Sequence, residues 1–138
     1  MGLTESFALY VTQNERDSTQ LTVNPWFVGT CSNRHDAGRI LESCRTIENG
    51  NFLVRKSENS DTQYAITLWF DKQVTHVRIN QVDGKQYQLE YNSNANLSVP
   101  VFPTIEGLIK FYTEHEMKLT GHCQGFVKLK FNPNLFKD

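Results

Sequence analysis

An α+β domain is predicted, with a central antiparallel sheet flanked by two helices on opposite faces. Two stretches carry apolar residues at i, i+3, i+4 and i+7. The first holds Ala37, Ile40, Leu41 and Cys44, the second Ile105, Leu108, Ile109 and Tyr112. Between them lie the strand-like runs FLVR (52–55), YAITLWF (64–70), VTHVRIN (74–80) and YQLEY (87–91). Strand, helix, several antiparallel strands, helix and strand is an order that puts the helices on opposite sides of one sheet.

Each element has its own signals. Residues 1–22 are mostly polar, with TQNERDSTQ at their centre, and read as an extension or linker. The domain is expected over 23–133, with 134–138 as a C-terminal tail. A short strand is expected around Trp26-Phe27-Val28. Ser32 or Asn33 can cap the first helix. ENGN (48–51) reads as a turn, and the Arg55 strand follows it. KSENSDT (56–62) is a polar loop. Asp71-Lys72 separates the two longest alternating runs as a hairpin turn would. Asp83-Gly84 is a second turn signal, and NSNANLSVPVFP (92–103) is a long irregular excursion. Thr104 can cap the second helix, TGHCQG (120–125) breaks it, and FVKLKF (126–131) closes the domain as a strand.

Composition narrows the function. The net charge is −1 over 138 residues, so a broad nucleic-acid or membrane footprint is not expected, and any anion site must be local. No apolar run approaches the roughly 20 residues of a membrane span, and no secretory signal peptide is evident. Cys31, Cys44 and Cys123 are odd in number and lack CxxC spacing, which suits reduced thiols in a cytoplasmic protein. No metal ligand set and no cofactor motif stands out. The opening MGLTES matches the N-myristoylation pattern at Gly2. The chain is expected to be a monomer.

The chemistry gathers around Arg55. Apolar Phe52, Leu53 and Val54 precede it, as in a central strand covered on both sides. A guanidinium is seldom buried without a partner, so this one wants an anion from inside or outside the chain. With Asp71-Lys72 as a two-residue turn, Thr67 falls opposite His76 and Ala65 opposite Arg78, all on one sheet face. Two basic groups then stand beside two small ones, which leave a depression. If the Arg55 strand is the neighbour, three nitrogen-rich groups converge. Ser57 adds a hydroxyl, and the backbone of Glu58, Asn59 and Ser60 can form an anion nest. Arginine offers a bidentate fork matched to phosphate oxygens. Against a phosphatase, His122-Cys123 begins like the loop H-C-x5-R, but position 129 is Leu129 where an arginine must bind phosphate. Cys123 with a nearby histidine remains the enzymatic alternative.

FLVRKSE resembles the signature strand of Src homology 2 (SH2) domains, the phosphotyrosine-binding modules of tyrosine-kinase signalling. PWFVG, NRHDAGRIL, YAITLWF, VTHVRI and FPTIEGLIKFYTEHEM resemble further family segments in order, over about residues 24–131. The resemblance implies a non-enzymatic module, an adaptor or targeting domain, whose partners are tyrosine-phosphorylated proteins or peptides. It implies that Arg55 makes the bidentate phosphate contact and that Arg34 contacts phosphate and ring. Ser57, Glu58, Asn59 and Ser60 would surround the phosphate, with His76 near the pocket and Arg78 packing on the phenol ring. Val77, Ile79, Tyr91 and Val101 would read the residues after the phosphotyrosine. Aliphatic Val77 resembles the Vav-type and phosphoinositide-kinase-regulatory-type members, which implies aliphatic preference at +1 and +3. The stretch between Tyr87 and Phe102 is longer than the family pattern. A degenerate copy acting through other contacts is the remaining reading, and the retained arginines oppose it.

Overall fold

The side chain of Asn33 starts the first helix by accepting from the Asp36 N–H at 2.8 Å. In the computed structural model, which describes residues 21, 23–29, 33–57, 63–82, 86–90, 99–121 and 123–136, that helix is α1, Arg34–Glu42. The second helix, α2, is Ile105–Glu114, and Thr104 caps it through the Gly107 N–H at 2.9 Å. Both caps fall where hydroxyl and amide residues precede the apolar stripes.

Four antiparallel strands form the sheet in the order β1 (Phe52–Lys56), β2 (Tyr64–Phe70), β3 (Gln73–Val82) and β4 (Gln86–Leu89). Asp71 and Lys72 both take positive φ, 53° and 66°, as a two-residue hairpin turn demands. The register that follows pairs Phe70 with Gln73, Thr67 with His76 and Ala65 with Arg78. Across the other edge of β2, Arg55 pairs with Ala65 and Leu53 with Thr67. Side-chain alternation then sorts the two faces. Leu53 meets Ala37 of α1 on one face. Phe52, Val54, Ile66 and Leu68 form the larger core with Ile105, Leu108 and Tyr112 of α2 on the other.

Several elements differ from the expectation. Trp26-Phe27-Val28 makes a single parallel bridge to Val54, not a strand. Its backbone still covers the β1 edge, with Val28 N–H on Val54 O and Val54 N–H on Trp26 O. The closing strand is shorter than expected: β6 is Gly125–Val127, and it pairs with β5, Met117–Leu119, in a separate two-stranded sheet. Three residues after a helix carry too little alternation to mark a strand in advance. Beyond β6 the chain is held elsewhere, by Leu129 N–H on Tyr112 O and Lys130 N–H on Gly50 O.

The packed body also exceeds the expected bounds. Leu21 is buried in the main core, and Leu135 of the 3₁₀ turn Pro133–Phe136 packs with Leu41 and Cys44. A buried amide ties that end down: Asn132 Nδ2 donates to Asn51 Oδ1 at 2.9 Å and to Thr46 O at 3.1 Å. The long excursion is pinched at its base, where Tyr87 and Phe102 exchange two 2.8 Å backbone hydrogen bonds. Its residues 91–98 lie outside the described residues, as do Gly2 and the rest of 1–20. Among the described residues, no helix is long and apolar enough to cross a membrane.

Candidate functional site

Arg55 sits at the exposed end of a strand whose first three residues are fully buried. Phe52, Leu53 and Val54 are each 0 % accessible and anchor the strand in the core, and Arg55 is itself only 3 % accessible. Its Nε donates to Thr67 Oγ1 at 3.1 Å and its Nη1 to Lys56 O at 3.3 Å. Nη2 lies 3.4 Å from His76 Nδ1, and that nitrogen is 2.9 Å from Thr67 Oγ1. Three contacts on three sides set the plane of the guanidinium.

The guanidinium borders a cleft of about 890 Å³. Asn33, Arg34, His35 and Asp36, the cap and first turn of α1, form one wall. The helix N-terminus therefore faces the cleft with the positive end of its dipole. Ser57, Ala65, His76 and Arg78 line the floor near Arg55. Small Ala65 leaves the expected hollow. Thr67 is buried at 0 % and does not line it, serving Arg55 and His76 from beneath. Arg78 pairs with Glu90 at 3.6 Å, both about half exposed, a contact worth little in water.

The cleft crosses the sheet edge. β4 pairs with β3 only from Ile79 to Val82, so β3 before Ile79 forms the rim. Thr75 and Val77 carry the lining onto the α2 face, where Lys118, Leu119 and Thr120 complete it. One end is basic and deep, the other contains aliphatic and hydroxyl groups.

Six expected site residues are thus gathered in one place: Arg34, Arg55, Ser57, His76, Val77 and Arg78. Glu58, Asn59, Ser60 and Tyr91 lie outside the described residues. The base of the first loop is nonetheless clamped, by Ser57 N–H on Gln63 O at 2.8 Å. Ile79 requires correction: it is 0 % accessible, packs into the α2 core, and does not line the cleft. Val101 is exposed but does not line the cleft. Lys118, Leu119 and Thr120 were not anticipated, because the turn of chain after α2 that delivers them has no sequence signature.

Cys123 is shut away from the cleft and from solvent. It is 2 % accessible, and its thiol donates weakly to Phe70 O at 3.8 Å. Burial, and then the negative charge of Asp71, push its pKa above the ordinary thiol value. The folded chain holds this proton more tightly than the unfolded chain, so the thiol's contribution to stability is lost as pH rises past the ordinary thiol value. Iodoacetamide is expected to modify Cys123 slowly in the native protein and rapidly in urea. Mass spectrometry of the labelled peptide reads this, and rapid native labelling would overturn it. His115 is occupied elsewhere, stacked on Phe111 at 4.3 Å between ring centres. Among the described residues no three His, Cys, Asp or Glu side chains gather as a metal site.

Comparison with known proteins gives the same family by two routes. A family model described as SH2 domain matches residues 26–112. The tyrosine-protein phosphatase corkscrew of Drosophila virilis is 34 % identical over 105 residues, which are 76 % of this chain and 12 % of that protein. The chain therefore spans a small fraction of that relative. The solution structure of a CRK/CRKL homologue SH2 domain from Monosiga brevicollis overlays with a TM-score of 0.59 at 25 % identity, covering 81 % of this chain and 88 % of that one. The SH2 domain of human proto-oncogene protein VAV1 overlays with 0.60 at 23 % identity, covering 80 % and 72 %. The two overlays are equally good, so fold does not separate subtypes.

Proposed function

The chain belongs to the SH2 domain family, phosphotyrosine-binding modules of kinase signalling, and we propose that its ligand lies across the β3 rim, phosphotyrosine at Arg55 and the following residues toward Leu119. The observation that carries this reading is a single cleft with a deep guanidinium at one end and an aliphatic wall at the other. Arg55 takes two phosphate oxygens with its fork. Arg34 and the N-terminal turn of α1 add positive potential from the side. Ser57 supplies a hydroxyl, and Glu58, Asn59 and Ser60 carry the backbone N–H donors for the phosphate that the sequence leads us to expect. Arg78 leaves Glu90 at little cost and packs on the phenol, with His76 beside it.

Depth supplies selectivity. Phosphoserine is shorter by an aromatic ring, so its phosphate cannot meet Arg55 while its backbone rests on the rim. The module binds without catalysing, as an adaptor or targeting part of a longer protein in the cytoplasm, and corkscrew's phosphatase activity is not carried over. Residues 23–133, with Leu21 and the 3₁₀ turn, make up the domain.

Val77 occupies the rim between the two ends, and its aliphatic side chain with Leu119 favours aliphatic residues at +1 and +3. A phosphotyrosine-peptide library tests both levels. Retention of phosphorylated peptides over their unphosphorylated and phosphoserine forms is expected. Val77→Tyr is expected to move preference toward polar residues after the phosphotyrosine. A profile unchanged by Val77→Tyr would refute the specificity assignment, and failure to retain any phosphotyrosine peptide would refute the binding mode.

A further inference from the structure

Residues 1–20 contain one apolar run, Phe7-Ala8-Leu9-Tyr10-Val11, and the stretch after it, TQNERDSTQ (12–20), is polar throughout. The family match begins at residue 26 and leaves this run unused. A short apolar strip on a polar tether is too small for a core of its own and suits docking on a folded surface. Tyr10 is followed at once by Val11, the kind of residue the cleft favours at +1. Tyr87 and Tyr112, by contrast, are 6 % and 4 % accessible, and Tyr64 packs on Phe27 with ring centres 6.2 Å apart. The tether joins the domain at Leu21, which is buried with Ile105 and Leu108 of α2. Beside it, Asn24 Nδ2 donates to Glu106 Oε2 in the first turn of α2 at 3.3 Å. The attachment is therefore on the α2 face, the face onto which the aliphatic end of the cleft opens.

We propose that Tyr10 is a phosphorylation site and that its phosphorylated form is a tethered ligand for this chain's own cleft, closing it to other phosphotyrosine peptides. The proposal rests on the reading of Arg55 as the phosphate-binding group. A tyrosine kinase supplies the modification: the γ-phosphoryl of ATP passes to Tyr10 Oη, which loses its proton, and ADP leaves. Reach permits the contact. Asn24 N–H on Leu21 O, Phe27 N–H on Asn24 O and the Phe27–Val54 bridge lead from Leu21 to the residue before Arg55. Each turn spans less than about 7 Å and a bridge about 5 Å, so Leu21 lies within roughly 25 Å of Arg55. The chain from Tyr10 to Leu21 extends to roughly 36–40 Å. Direction agrees as well. With phosphotyrosine at Arg55, Val11 falls beside Val77, and residues 12–20 return along the α2 face to Leu21. Gln13 at +3 is polar where Leu119 favours an aliphatic group, so the sequence alone binds weakly. The tether offsets this with an effective concentration of about millimolar, as short linkers do. A partner with aliphatic residues at both +1 and +3 is the ligand that displaces it.

The test uses the full chain with phosphotyrosine placed at position 10 during translation, beside the unphosphorylated chain. Calorimetry with a phosphotyrosine peptide carrying valine at +1 and leucine at +3 is expected to show roughly 10- to 100-fold weaker binding by the phosphorylated chain, as a millimolar tethered competitor of modest affinity gives. Analytical ultracentrifugation is expected to show a monomer, and a phosphatase to remove the Tyr10 phosphate more slowly than from the free peptide 1–20. Peptide binding within twofold of the unphosphorylated chain would overturn the proposal, and so would dimers held together by phosphorylated Tyr10, which would place the ligand on a second copy. Treatment of the unphosphorylated chain with a tyrosine kinase and ATP is expected to modify Tyr10 ahead of Tyr87 and Tyr112, read by mass spectrometry, and an unmodified Tyr10 would overturn the assignment of the site. If the unphosphorylated chain itself retains no phosphotyrosine peptide, the reading of the cleft fails and takes the proposal with it, whereas binding that Tyr10 phosphorylation leaves unchanged removes the proposal alone.

Discussion

Arg55→Ala is expected to remove nearly all affinity for a phosphotyrosine peptide. The phosphorylated side chain brings roughly −1.5 to −2 charge at neutral pH. Taking away one partner of a buried, hydrogen-bonded charge pair typically costs about 2–5 kcal/mol. That converts to roughly 30- to 4,000-fold in dissociation constant. The upper part of the range applies here, because Arg55 is 3 % accessible and water cannot replace it well. Arg55→Lys keeps the charge but not the fork, and is expected to fall between wild type and alanine. Isothermal calorimetry measures all three, with circular dichroism to show that each variant is folded. Binding by Arg55→Ala within threefold of wild type would sink the assignment.

Phe52→Ala is expected to cost stability before it costs affinity. Phe52 is fully buried, packs its ring 6.1 Å from that of Trp26, and faces Leu68 across the β1–β2 ladder. Removing a core phenylalanine typically costs about 3–5 kcal/mol, through lost burial and the cavity left behind. A typical domain has about 5–15 kcal/mol in total, so the loss is a large fraction of it. A fall in melting temperature of roughly 10–20 °C follows for a chain of this size. Phe52→Leu fills more of the space and is expected to lose less. Urea or thermal unfolding decides this, and a loss under about 1 kcal/mol would show that the site collapses or that the ring is not anchoring β1. The contrast with Arg55→Ala separates the two jobs proposed for one short strand: its apolar residues hold it and its last buried residue is to bind.

The sheet register was legible because two facts coincide in the chain. Asp71-Lys72 stands between two alternating runs, and a two-residue turn leaves one pairing only. Counting outward from Phe70 and Gln73 reaches Thr67 opposite His76 and Ala65 opposite Arg78 without any tertiary information. Both helix caps were legible for a similar reason: a capping side chain bonds a backbone group within three residues. Ile79 shows where this kind of counting fails. Alternation told which side of the sheet it takes, the side of Val77, but not that β4 and α2 cover that side from Ile79 onward. Val77 and Ile79 share a face, yet one lies at the rim and the other in the core.

Residues close in sequence, then, determined the helices, the central hairpin and the basic character of the face that carries Arg55, because backbone hydrogen bonds and side-chain alternation are local. The resemblance of several short motifs added the family. Only the tertiary structure decided how deep Arg55 lies, that Thr67 is its partner, that the chain after α2 delivers Lys118, Leu119 and Thr120 to the far end of the cleft, and that Cys123 is shut away. Each of these depends on which distant segment covers a given surface, as with the 53 residues that separate Cys123 from Phe70 O. Burial is a property of the packed whole, and no periodicity along the chain encodes it.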